Sequence, residues 1–166
     1  MKTLARSERQ DPTFDDSGKD LAFAPRVLDR AITKNPRVGC AGIIRRGTEV
    51  LLGRRNKEPN RGLWVLPGGG VGFGETLADT LRRELYEEAG IEIQVDGIFN
   101  VHELIIPPEE HRVIVYLTAH YRGGDPIASD DLSEVGFFTS EEIRKLSANG
   151  EISPLVEKVL REAAVL

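Results

Sequence analysis

Apolar positions in this chain follow two rhythms, and the change between them marks out the elements. Residues 38–45 and 50–55 are apolar runs parted by Arg46-Gly47-Thr48, a hairpin signal. A loop over 57–62 and a short strand over 63–66 lead to Pro67. Glycines at 68, 69, 70, 72 and 74 then predict a tight loop. After it the period lengthens. Ala78, Leu81, Leu85 and Ala89 recur at helical spacing, so 76–89 is predicted to be an amphipathic helix closed by Gly90. Strands are predicted at 91–95 and 98–106, followed by a turn over 107–110. Val113, Val115 and Leu117 alternate within a strand over 112–121, and a short strand covers 135–138. Thr139-Ser140-Glu141-Glu142 has capping-box spacing and starts a helix through about Leu146. Ser153-Pro154 reads as the N-cap and first residue of a final helix over 154–165.

Ahead of the first strand the pattern dissolves. Residues 1–20 are polar and charged without periodicity, as in loose or disordered chain. Leu21, Phe23, Val27, Leu28 and Ile32 form an apolar set interrupted by Pro25, which suggests a short helix packing on the domain or on a partner subunit. The expected organisation is therefore a partly disordered extension over 1–36 and one domain over 37–166. A length of 166 residues suffices for one domain with a good core. Strands interleaved with few helices predict the α/β class, with a mixed sheet between helices.

Within the helix over 76–89, the pattern breaks the ordinary rules. Glu84, Glu87 and Glu88 stand at i, i+3 and i+4, which puts three carboxylates on neighbouring positions of one surface. Like charges at that spacing cost roughly 0.2–0.5 kcal/mol per pair. They also sit in the C-terminal half, where the helix dipole disfavours negative charge. Glu84 and Glu88 lie seven residues after Leu77 and Leu81, so both should border the buried stripe. A helix that accepts all three penalties implies a cation beside it.

Charge and cysteine content narrow the setting. The net charge of −5 gives no global field to attract nucleic acid or an anionic membrane. Cys40 is the only cysteine, which excludes an internal disulfide and a cysteine-based zinc site and points to a reducing cytoplasm. No apolar run reaches membrane-spanning length, and the N-terminus has no hydrophobic core of a secretory signal. His102, His111 and His120 are dispersed and do not suggest zinc. Cys40 sits in an apolar run and reads as a small core residue.

From Gly69 to Ile91 the chain reads GGVGFGETLADTLRRELYEEAGI. It fits G-x5-E-x7-R-E-U-x-E-E-x-G-U, with U apolar, at Gly69, Glu75, Arg83, Glu84, Leu85, Glu87, Glu88, Gly90 and Ile91. This resembles the Nudix box, and the likeness extends from about residue 37 to 145. The resemblance implies an α/β/α sandwich and hydrolysis of a pyrophosphate linkage in a nucleoside diphosphate derivative. It implies that Glu84, Glu87 and Glu88 bind Mg²⁺ or Mn²⁺ with the Gly68 carbonyl, a choice consistent with hard oxygen donors. Arg83 would orient the glutamates and Glu75 support them, while Arg55 and Glu134 match positions that bind substrate in relatives. Gly72 stands where relatives often carry a glutamate.

The resemblance leaves the substrate open. LeuProGlyGly…PheGlyGluThr and the short chain look like nucleoside triphosphate pyrophosphohydrolases of the MutT type, extending to small sugar nucleotides. Pro107, sixteen residues beyond Ile91, instead resembles a marker of ADP-ribose pyrophosphatases. A non-catalytic nucleotide-sensing module is the alternative of another class, but such domains usually lose a box glutamate and none is missing here. The family's habit and the apolar set over 21–32 suggest a homodimer.

Overall fold

Strand β1, Arg37–Arg46, sets the architecture because it is buried on both faces. Its alternation sends Ala41 and Ile43 to one side and Cys40 and Ile44 to the other, and each side joins its own apolar cluster. A computed structural model describes residues 35–106 and 110–166, and those from Pro36 onward form one compact unit. The predicted helix near Pro25, Pro107 itself and all but the last residue of the predicted 107–110 turn lie outside the described residues. So does the extension over 1–36, apart from its last two residues.

Around β1 stand β2 (Glu49–Arg55), β3 (Trp64–Val65), β4 (Gly68–Gly70), β5 (Glu92–Ile106), β6 (Glu110–Gly123) and β7 (Leu132–Phe138). The main order is β3-β2-β1-β6-β5, with β4 paired to β1 and β7 to β2. Pairing of β1 with β6 is parallel and every other pairing is antiparallel, so the sheet is mixed as expected. Helix α1 (Leu77–Ala89) covers one face, packing Leu81, Leu85 and Ala89 on Cys40, Ile44, Leu51 and Leu117. Helices α2 (Ser140–Ala148) and α3 (Pro154–Glu162) belong to the other, where Ile143, Val156, Val159 and Leu160 meet Ile43, Leu52 and Tyr116. The result is the α/β/α sandwich.

Local signals account for the helix ends. Thr76 accepts a hydrogen bond from the Asp79 amide, and Gly90 closes α1 at φ 67°. Thr139 and Glu142 form the full capping box of α2. Four expectations need correction. The stretches 91–95 and 98–106 belong to one strand, β5, which absorbs its irregularities as register shifts instead of breaking. The supposed loop at Gly68–Gly70 is a strand on β1, because chain without side chains fits where a Cβ on Gly68 would lie 2.2 Å from the Cys40 carbonyl oxygen. Strand β7 begins at Leu132, recruited by pairing with β2. Helix α3 ends at Glu162, and Ser153 makes no side-chain cap.

Leu85 is fully buried between α1 and the sheet, whereas Val101 on the edge strand β5 is 49% exposed. Leu85→Ala should therefore lower unfolding free energy by about 2–5 kcal/mol, and Val101→Ala by less than about 1 kcal/mol. Urea titration of both variants checks the difference. Equal losses would contradict this packing.

Candidate active site

Arg83 leaves α1 two residues after Leu81, at the margin of the buried stripe, and becomes the hub of an ion-pair network. Its Nε and Nη2 donate to Glu75 Oε1 and Oε2 at 2.7 and 2.9 Å, a two-pronged pair. Its Nη1 donates to Glu84 Oε1 at 2.8 Å and to Glu87 Oε2 at 3.2 Å. The Gly72 amide and Thr80 hydroxyl add bonds of 3.0 and 2.9 Å to Glu75. Arg83 above all, then these two donors, hold the Glu75 carboxyl down to about 2. Glu75, followed by Glu84, pushes Arg83 further above its already high range.

Glu84 rests against the glycine strand. A Cβ on Gly69 would lie 2.2 Å from the Glu84 carboxyl carbon and as close as 2.3 Å to its oxygens, so only glycine admits that carboxylate. At Gly72, a Cβ would press on Glu75 Oε2 at 2.8 Å. Glu88 goes deepest. It is 4% exposed, and its Oε2 is buried with no hydrogen-bond partner among the described residues. Burial first, then Glu84 and Asp131, push its carboxyl up to about 7; the Gly68 backbone and Arg55 oppose the rise.

Asp131 was not singled out from sequence, since an acid in a polar loop carries no periodic signal. Its loop is fastened to the end of α1, with the Ser129 amide donating to the Glu88 carbonyl at 2.9 Å and that of Ile127 to Ala89 at 3.0 Å. Lys57 pairs with Asp131 and with Asp130, and Arg55 Nη2 stands 3.7 Å from Asp131 Oδ2. Thr80, fully buried on α1, was also missed, because an uncharged threonine within a helix carries no mark of a site.

A cleft of about 510 Å³ opens beside this cluster. Arg55 and the glycines of β4 line it, together with apolar walls from Leu66, Leu104, Ile114 and Tyr116. Arg37 and Arg112 also reach it, both paired with Glu110. Glu134 does not line this cleft. It pairs with Arg54 at 2.9 Å and borders a shallower hollow with Arg54, Arg55 and Arg61. His102 is held by Glu162 at 3.1 Å against the edge of Tyr116, and Trp64 packs edge-on to Phe138.

The carboxylates pass one test for a divalent cation. With Arg83 between Glu84 and Glu87, no three acidic, histidine or cysteine side chains among the described residues already converge as a ligand set. Glu88 nevertheless offers a buried, unpartnered oxygen beside a second carboxylate, the donor chemistry of a hard ion. No helix among the described residues is long and apolar enough to cross a membrane.

Comparison with known proteins agrees with this geometry. The NUDIX domain pattern matches residues 33–159, so the chain belongs to the NUDIX family and is a hydrolase of that family. The ADP-ribose pyrophosphatase of Methanocaldococcus jannaschii is 32% identical over 118 residues, 70% of each chain. The NAD-capped RNA hydrolase NudC of Pectobacterium atrosepticum is 31% identical over 125 residues, 74% of this chain; the match spans only 45% of that protein. The crystal structure of a MutT NUDIX hydrolase from Burkholderia pseudomallei superposes with a TM-score of 0.66 at 27% identity, covering 78% of this chain and 98% of that one.

The raised Glu88 carboxyl makes a stability prediction in chelator-treated protein. Between its ordinary 4.5 and about 7, the unfolded chain ionises while the folded protein keeps the proton. Stability therefore falls as pH rises through that window, and the full penalty, roughly 3 kcal/mol, holds above it. Glu88→Gln should be more stable than the parent at pH 8, with the gap closing towards pH 5. Urea titrations at the two values test this; a gap independent of pH would reject it. Gly69→Ala should displace Glu84 and lower turnover at least tenfold while leaving α1 folded, as followed by circular dichroism.

Proposed function

We propose that this protein is a Mg²⁺- or Mn²⁺-dependent pyrophosphohydrolase of nucleoside triphosphates or small sugar nucleotides. The observation that carries the reading is the buried, unpartnered Glu88 carboxylate beside Glu84, next to a cleft lined by Arg55 and the glycine strand. Glu84, Glu87, Glu88 and the Gly68 carbonyl would hold the ion. When bound, it would neutralise phosphate oxygens and make water more acidic.

The chain's own groups do the rest. Arg83, locked by Glu75, fixes the carboxylates of Glu84 and Glu87 through its Nη1. Arg55 offers a guanidinium to the phosphates. Water attacks one phosphorus, the bridging oxygen departs with the other phosphoryl product, and Glu84 accepts the proton of the water. Glu134 contacts the substrate's outer part from the neighbouring hollow. All four box glutamates and Arg83 are present, which favours catalysis over ligand sensing.

ADP-ribose is the second reading, favoured by the archaeal relative that aligns over 70% of both chains. Cys40, the single cysteine, suits a cytoplasmic enzyme. A homodimer is also part of the reading, supported by exposed Ile98, Val101 and Ile105 on the edge strand β5.

Hydrolysis of nucleoside triphosphates, sugar nucleotides and ADP-ribose, with products separated by chromatography, tests the assignment. Turnover should require Mg²⁺ or Mn²⁺ and fall at least a hundredfold in Glu88→Gln and Glu84→Gln. No turnover of any of these by the parent would reject the activity. Sedimentation at micromolar concentration should give twice the 18.3 kDa chain mass; a monomer would reject the dimer.

A further inference from the structure

Two arginines stand side by side at one end of the sheet, on the face that floors the cleft. Arg37 of β1 and Arg112 of β6 are register partners, as are Gly39 with Ile114 and Ala41 with Tyr116, so strand alternation puts all of them on one face. Ala41 and Tyr116 belong to the core at the inner end of that row, and the arginines form its outer end. Like charges set side by side on neighbouring strands repel, so the arrangement calls for a reason. Glu110, two residues before Arg112, is the only acid that pairs with either arginine among the described residues.

One carboxylate does not neutralise two guanidinium groups. Arg37 Nη2 donates to Glu110 Oε1 at 3.2 Å, and Arg112 approaches the same oxygen. Arg112 Nε is buried and, although it abuts Glu110, completes no hydrogen bond among the described residues. The cluster therefore keeps a net positive charge, and both guanidinium groups line the cleft with donors to spare. Two planar forks of this kind suit an anion with several oxygens, a phosphate above all.

Strand register separates this cluster from the catalytic end. Gly69, which abuts Glu84, pairs with Cys40, three residues along β1 from Arg37, and Arg112 lies one strand beyond β1. At roughly 3.3 Å per residue and 4.8 Å per strand, about 14 Å of backbone parts Gly69 from Arg112. The arginine side chains shorten that gap towards the span of one nucleoside. Leu104, Ile114 and Tyr116 wall the cleft with apolar surface, which suits a base and a sugar better than a charge. A base has no anionic group of its own, whereas a ribose hydroxyl can carry a phosphate. We infer that Arg37 and Arg112 hold a second phosphate, borne on the ribose of a nucleotide whose 5′-phosphates lie at the glycine strand. This rests on the nucleotide reading of the cleft and deepens it by naming a substrate class, nucleoside diphosphate derivatives phosphorylated on the ribose.

Titration calorimetry with AMP, adenosine 2′,5′-bisphosphate and adenosine 3′,5′-bisphosphate, without divalent ions, tests the inference apart from catalysis. One or both bisphosphates should bind the parent about tenfold more tightly than AMP. Arg37→Gln and Arg112→Gln should each cut that preference about threefold or more, with AMP affinity changed by less than about twofold. Arg37 is largely exposed at the start of β1, so its variant decides the matter even if Arg112→Gln fails to fold in a thermal melt. Arg82→Gln removes an exposed arginine of α1 that pairs with Asp79, and should leave the preference as it is. An equal drop in Arg82→Gln would show general charge attraction only and would overturn the assignment. Equal affinities for AMP and both bisphosphates, or an unchanged preference in Arg37→Gln, would overturn it as well. So would a loss of AMP and bisphosphate affinity by the same factor, the mark of a purely structural ion pair. Nucleotide hydrolysis without any bisphosphate preference would reject the ribose-phosphate site and leave the proposed activity standing; the preference without hydrolysis would do the reverse.

Discussion

Everything at the site depends on a strand without side chains lying between β1 and the carboxylates of α1. Gly68 abuts the Cys40 carbonyl and Gly69 abuts the Glu84 carboxylate, so β4 is held close on both sides by backbone or charge. Any Cβ at either position would intrude to 2.2 Å. The close approach keeps Glu88 buried at the margin of an apolar cluster, where its charge has large consequences because little water remains to screen it.

That environment divides the four box carboxylates into two kinds. Glu75 is fully committed: two guanidinium bonds, an amide and a hydroxyl hold it ionised far below neutrality. Glu88 has the opposite setting, buried beside other acids with an unsatisfied oxygen. Arg83 joins Glu75, ahead of the helix, to Glu84 and Glu87 on it, so one carboxylate is committed to the ion pair while Glu88 stays outside the network. A fold accepts such local instability at a site of chemistry, provided apolar packing elsewhere offsets it. Leu81, Leu85 and Ala89, fully buried under the same helix, supply that packing.

On the other face, the sheet and α3 shape the cleft. Tyr116, 2% exposed, has its phenol pushed up to about 12 chiefly by burial, and so stays a neutral hydroxyl in the cleft wall. His102, Asn100 and Glu162 tie β5 to the end of α3, which keeps that wall in place. The cleft thus sets apolar walls beside a paired Arg37–Glu110–Arg112 group and the Arg55 guanidinium, an arrangement in which a mostly apolar pocket orients a ligand through a handful of directional bonds.

The sequence by itself determined α1 and its closing glycine, most strands of the sheet and the motif from Gly69 to Ile91. Each of these is written in nearest-neighbour terms: a period of 3.6 or 2, a capping residue, a turn glycine. It also showed that Glu84, Glu87 and Glu88 share a surface, because helical spacing alone brings them together. Tertiary structure decided which of those carboxylates is buried, since that depends on β4 and the loop carrying Asp131 closing over the helix. It turned the glycine loop into a strand through pairing with β1, and it joined two expected strands into β5 through pairing with β6. It also left Ser153 at a helix start without capping it. Whether a hydroxyl bonds its own helix or faces a cleft is set by packing against distant residues, and no local pattern encodes that choice.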